Sequence, residues 1–138
     1  MLKKILLAVL VIAILVIGVI FRTPLIAAVR GIVAPAPTLV VSPGGDFTVN
    51  LLDPGMRRYL RVRISLQHLA SRGLVSELTT REPEIRHAVI KVLRAKTVDD
   101  LTTTEKVETL RQELLAALNE VLERGEITNL FFVDFVIQ

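Results

Sequence analysis

Seventeen consecutive residues, Ile5 to Phe21 (ILLAVLVIAILVIGVIF), carry no charge and no strong hydrogen-bonding side chain. As a helix rising about 1.5 Å per residue, the run spans roughly 26 Å, slightly less than the roughly 30 Å hydrocarbon core of a bilayer. Lys3 and Lys4 before it and Arg22 after it have long stems that reach the headgroups, so a short span works without burying a charge. The sequence therefore predicts a single transmembrane helix, with Ile5, Leu10, Leu15 and Phe21 along the anchor, and every residue after Arg22 on one side of the membrane.

A secretory signal has an apolar run of about 7 to 15 residues and a small-x-small cleavage site. This run is longer, and the best available site, Ala34-Pro35-Ala36, is spoiled by Pro35 within it and Pro37 after it. Retention of the segment is the expectation. Arg22 and Arg30 nearly balance Lys3 and Lys4, so charge alone barely orients the span. Size decides it: the short tail with Lys3 and Lys4 stays in the cytoplasm and the long domain is exported.

The chain has a net charge of +3 and a pI near 9.7, a balance that could point to nucleic acid. The basicity is concentrated before residue 31, where four basic side chains stand with no acid; residues 31–138 hold thirteen basic and fourteen acidic groups. No nucleic-acid partner is expected. Outside the apolar run about 45% of the residues are apolar, near the usual globular value. One domain with its own core follows. With no cysteine in the chain, neither a disulfide framework nor a thiolate metal site is possible.

Three segments are expected: residues 1–22 as tail and membrane helix, 23–45 as a proline-rich linker, and 46–138 as the exported domain. Pro24, Pro35, Pro37 and Pro43, then Gly44-Gly45, break regular structure in the linker and stiffen it. The domain opens with Phe47, Val49 and Leu51 at every second position, followed by the turn Asp53-Pro54-Gly55. The second strand is the clearest period-2 run in the chain, with Leu60, Val62, Ile64 and Leu66 on one face and Arg61, Arg63, Ser65 and Gln67 on the other. Arg57, Arg58, Arg61 and Arg63 form a basic ridge, but only Tyr59 is interleaved for stacking. The ridge reads better as a solvated strand face, or one that meets acids of a neighbouring subunit, than as a phosphate site.

A short helical turn is expected at residues 74–80. Pro83 suits a first helical position, and Ile85, Ala88, Val89, Val92 and Leu93 keep helical spacing to about Lys96. Thr102 and Glu105 have capping-box spacing ahead of a second helix with Val107, Leu110, Leu114, Leu118 and Val121 in its stripe, closed by Gly125. The last strand is apolar on both faces: Phe131, Val133, Phe135 and Ile137 on one, Leu130, Phe132 and Val136 with Asp134 on the other. Such a strand belongs in the middle of a sheet or in a subunit contact. The fold class is α+β, an antiparallel sheet of about three strands with two to three helices in the order β-β-α-α-β.

Catalytic signatures are missing. His68 and His87 are isolated, and there is no His-Glu-x-x-His, no Gly-x-Ser-x-Gly, no phosphate loop and no Gly-x-Gly-x-x-Gly. Glu82 and Glu84, two apart near a helix start, point different ways, and Asp99 and Asp100 read as caps. No enzyme activity, metal or cofactor is expected.

Taken in order, the residues resemble the FliL family of flagellar basal-body-associated proteins over essentially the whole chain. The likeness is carried by Met-Leu-Lys-Lys before one span, Phe47-Thr48-Val49-Asn50-Leu51, Arg58-Tyr59-Leu60-Arg61-Val62 and Arg81-Glu82-Pro83-Glu84-Ile85-Arg86. It continues through Lys96-Thr97-Val98-Asp99-Asp100-Leu101 to the end at Phe132-Val133-Asp134-Phe135-Val136-Ile137-Gln138. The resemblance implies a bacterial inner-membrane protein with a stomatin/prohibitin-like periplasmic domain that forms a ring around the MotA/MotB stator and supports its engagement and torque. Its partners would be further copies of itself, the stator proteins MotA and MotB, and the lipid bilayer. On that reading Arg57, Arg58, Arg61, Arg63, Phe132 and Val136 are the candidate oligomer or partner contacts. A stomatin-like scaffold unrelated to motility, or a tethered periplasmic ligand-binding or enzymatic domain, are the alternatives.

Overall fold

The computed structural model describes Leu10, Val16, residues 36–55 and residues 57–138, and divides into two compact units, Met1–Ala36 and Pro37–Gln138. In the first unit Leu10 and Val16 are helical and exposed. The anchor positions Ile5, Leu15 and Phe21 and the flanking Lys3 and Lys4 lie outside the described residues. Among the described residues no helix is long and apolar enough to cross a membrane.

The second unit is α+β. Its strands are β1 (Leu39–Asn50), β2 (Tyr59–Leu69) and β3 (Ile127–Ile137); its helices are α1 (Arg72–Thr80), α2 (Glu82–Arg94) and α3 (Thr104–Val121), with a 3-10 turn at Asp99–Leu101. All three strands are antiparallel in the order β1-β2-β3. The alternation in β2 is realised: Leu60, Val62, Ile64 and Leu66 are buried, and Arg61 and Arg63 face outward. The helices cover the buried face, and Leu74, Ile85, Val89, Leu93, Leu110, Leu114 and Leu118 complete one core with it.

β1 begins earlier than the expected linker boundary, because Leu39 to Gly45 already pair with β2. Pro43 and the two glycines that read as breakers are accommodated by an edge strand and a bulge, the two places where a sheet tolerates them. The register shifts between Pro43 and Gly45, and Gly45 has φ of 108°. A Cβ on Gly44 would lie 2.7 Å from Ile64 Cγ1, so the side-chain-free backbone lets β1 settle on the core.

β3 is an edge strand, not a central one. It also departs from strict alternation, since Arg63 pairs with Asp134 and Ile64 with Phe132, which leaves Val133 as an extra residue. That bulge turns Phe132 and Phe135, expected on opposite faces, to the same side. Both pack against the core, their rings 5.2 Å apart at 67°, while Phe131 and Val133 are exposed.

The 9-residue α1 is a full helix rather than a single turn, capped by the Ser71 hydroxyl, which accepts from Leu74 N. Pro83 sits in the first turn of α2. The cap of α3 is Thr103, one residue beyond the expected Thr102, and its hydroxyl accepts from Lys106 N. The helix ends at Val121, before Gly125, because Leu122 turns to an extended conformation and is buried.

Candidate functional site

The sheet has two unlike faces, and the outer one is free of helices. Across it run cross-strand rows that can be read from the register: Thr48, Arg61 and Val136; Asp46, Arg63 and Asp134; Pro43, Ser65 and Phe131. Arg63 Nε donates to Asp46 at 2.6 Å and Arg61 Nη2 to Asp134 at 2.9 Å. The hydrogen bond that Arg63 donates to Asp46, then the charge of that carboxylate, raises the Arg63 pKa above its ordinary value. The arginines thus find acids on adjacent strands of their own chain, on a face that stays solvated; of the two readings of the ridge, a solvated strand face or one that meets the acids of a neighbouring subunit, these pairs agree with the first. The pairs stay open to water, Arg61 being 62% and Asp46 71% exposed, so they hold the face in order and contribute little to stability.

The other candidate contacts fall in different places. Val136 lies on this outer face beside Arg61, whereas Phe132 is turned onto the core by the bulge. Arg57 and Arg58 are exposed in the β1–β2 turn, within which Gly55 has φ of 84°. Tyr59 and Gln138 close the same end through a backbone pair, Tyr59 N to Gln138 O at 2.8 Å and Gln138 N to Tyr59 O at 3.0 Å. Their side chains bond as well.

On the helix side a groove of about 780 Å³ runs between α2 and α3, lined by Ala88, Val92, Ala117 and Val121 with His87 and Glu120. It exists because small alanines stand where two helices approach. His68 is fully buried on the inner face of β2, with Nδ1 2.8 Å from Leu69 O and Nε2 2.9 Å from Ser42 Oγ. A carbonyl only accepts, so Nδ1 carries a proton. This Ser-His pair has a backbone carbonyl where a hydrolytic triad has a carboxylate, and it reads as a buried imidazole with both nitrogens satisfied. Among the described residues no group of three or more His, Asp or Glu is placed to hold a metal ion.

Glu77 is the polar anchor that sequence reasoning missed. Only 5% exposed, it accepts from Glu123 N at 2.9 Å and Arg124 N at 2.8 Å, and Arg81 stands 3.3 Å away. Burial pushes its carboxyl up, but the two backbone N–H groups and Arg81 outweigh that and leave it below the usual carboxylate range. Arg81 continues to Val121 O at 2.6 Å and to Glu84 and Glu123. Glu77 thereby ties α1 to the turn that leads into β3. Asn119 secures the start of that strand, since its side chain both accepts from Ile127 N and donates to Ile127 O. The one signal in the sequence was that Glu77 stands three residues after Leu74 and beside Leu78, at a position the helical apolar spacing assigns to the covered face.

These features define a small two-layer α+β domain whose open surfaces are a bare sheet face, two strand edges and an apolar groove. Residues 40–138 match the family model described as flagellar basal body-associated protein FliL. The chain belongs to the FliL family. It is 38% identical over 92 residues to a flagellar protein FliL of Aquifex aeolicus (strain VF5), an alignment that takes in 67% of this chain and 56% of that one. The match therefore spans little more than half the length of this relative.

Proposed function

We propose that this chain is a non-enzymatic inner-membrane protein of the flagellar basal body, with its N-terminus in the cytoplasm and residues 39–138 folded in the periplasm. Copies assemble as a ring around the MotA/MotB stator and support its engagement and torque generation. The anchor is the apolar run Ile5–Phe21 with Lys3 and Lys4 on the cytoplasmic side, and the proline-containing segment that follows, to residue 38, is the spacer. The observation that carries the reading is the β3 edge beside the bare sheet face in a domain of the FliL family. Phe131 and Val133 are 42% and 58% exposed there, next to the ordered charges of Arg61, Arg63, Asp46 and Asp134.

Exposed apolar groups rimmed by charge suit a contact between protein subunits, apolar groups giving affinity and charges giving register. A head-to-tail contact of one surface with a different one on the next copy closes into a ring when its rotation permits. The experiment is extraction of the full chain in mild detergent followed by measurement of its mass. A single species of several copies is expected, and a monomer at all concentrations contradicts the ring.

A further inference from the structure

The exposed apolar side chains are not spread evenly over the domain. Leu39, Val41, Leu69 and Val75 are 54%, 59%, 45% and 46% exposed and gather at the end of the sheet where β1 begins. Leu39 is the cross-strand partner of Leu69, and Val41 lies two residues along the same outer face. Val75 reaches this end from the other side of the sheet, where it lines a hollow of about 760 Å³ together with Val40, Ala70 and Arg72. Apolar groups are thus exposed on both sides of the sheet at one end. A second copy stacked on the sheet would cover one side only, whereas a surface approached end-on touches both. Two exposed arginines stand beside the cluster, Arg72 at the start of α1 and Arg124, whose Cβ comes within 3.7 Å of the Cβ position at Gly73; in the chain the nearest acids are Glu77 to Arg72 and Glu123 and Glu126 to Arg124.

We infer that this end of the domain rests on the bilayer, with Leu39, Val41, Leu69 and Val75 in the headgroup–acyl boundary and Arg72 and Arg124 against lipid phosphates. The inference rests on the proposed anchoring by Ile5–Phe21. The chain leaves that run and reaches the domain at Leu39, the first residue of β1 and a member of the cluster, so the tether is attached at the apolar end. Side chains with an apolar body beside an arginine are what an interface between water and hydrocarbon accepts. The domain is then held by two attachments, the span and its own lower end, which fixes its tilt as well as its height.

The chain has no cysteine, so single-cysteine variants carry one label each. Full-length Leu39→Cys, Val75→Cys and Leu52→Cys, labelled with a fluorophore, are placed in phosphatidylcholine–phosphatidylglycerol vesicles containing a nitroxide lipid. Leu52 is an equally exposed apolar residue, at 58%, lying roughly 40 Å along the strand direction from Leu39. Loss of fluorescence at positions 39 and 75 but not at 52 is expected. Labels at 39 and 75 that keep their fluorescence overturn the contact, and if they are also shielded from soluble iodide, a second copy covers them instead. Alkaline carbonate extraction separates the two readings. A chain released from the vesicles defeats the anchoring and the contact together, whereas a retained chain with unquenched labels defeats the contact alone.

Discussion

Glu77 shows how one side chain can join distant parts of a short chain. Its carboxylate takes the N–H groups of Glu123 and Arg124, and these lie 46 and 47 residues away. Because its pKa is lowered in the folded state, its contribution to stability is complete above the unfolded value of about 4.3 and is lost as pH falls through the folded value. Asp100, held low by the Thr97 N–H and hydroxyl, acts in the same direction. Thermal melts from neutral pH downward should show a falling transition temperature in acid, and a shallower acid limb in Glu77→Gln; parallel curves for the two proteins contradict this role. Gly44 gives a second test at the same scale. A methyl group placed 2.7 Å from Ile64 Cγ1 overpacks a closed core, so Gly44→Ala should cost about 1–3 kcal/mol in denaturant unfolding. Leu114→Ala, which empties a fully buried site in α3, should cost about 2–5 kcal/mol.

At the scale of elements, β3 carries most of the difference between what the chain spells out and what it builds. β2 was readable residue by residue because it is central and unbulged on its inner face, so apolar and polar positions alternate without interruption. α2 and α3 were readable from their stripes for the same reason, with ends displaced by a residue or a few. β1 was half hidden, since Pro43 and Gly44-Gly45 are turn signals unless a bulge at a sheet edge absorbs them, and a bulge depends on the partner strand. β3 departs from its pattern for the same cause: with Thr128 and Val133 as extra residues, the true inner set is Ile127, Leu130, Phe132, Phe135 and Ile137, which no fixed period selects. The paired charges of the outer face were likewise out of reach, because Asp46 and Asp134 meet the arginines only through registers 17 and 73 residues long. Two deletions test this strand. Removing residues 131–138 takes Phe132, Phe135 and Ile137 from the core and should abolish the cooperative melt, so a truncated protein with native circular dichroism and an intact transition would count against it. Removing Val133 alone should keep the fold, because it restores regular pairing from Ile64 to Arg63 without moving a core residue to the wrong face; loss of the folded state on that deletion contradicts the bulge.

For the whole molecule, family membership and surface lead to one account: a compact domain that offers different surfaces to different neighbours. On the proposed reading the outer face and β3 edge would serve the ring and the end at Leu39 the bilayer, while the groove between α2 and α3 stays open on the helix side. Reversing both arginines, Arg61→Glu with Arg63→Glu, sets like charges against Asp134 and Asp46 on a face that is already solvated. The expected result is a near-native melting transition with a smaller oligomer, and an unchanged oligomer mass would remove this face from the contact. The central claim is association with the stator, and it is tested most directly by affinity purification of the full chain from detergent-solubilised bacterial membranes. MotA and MotB are predicted to co-purify with it; full-length chain recovered in quantity from the same membranes without either subunit would contradict the account.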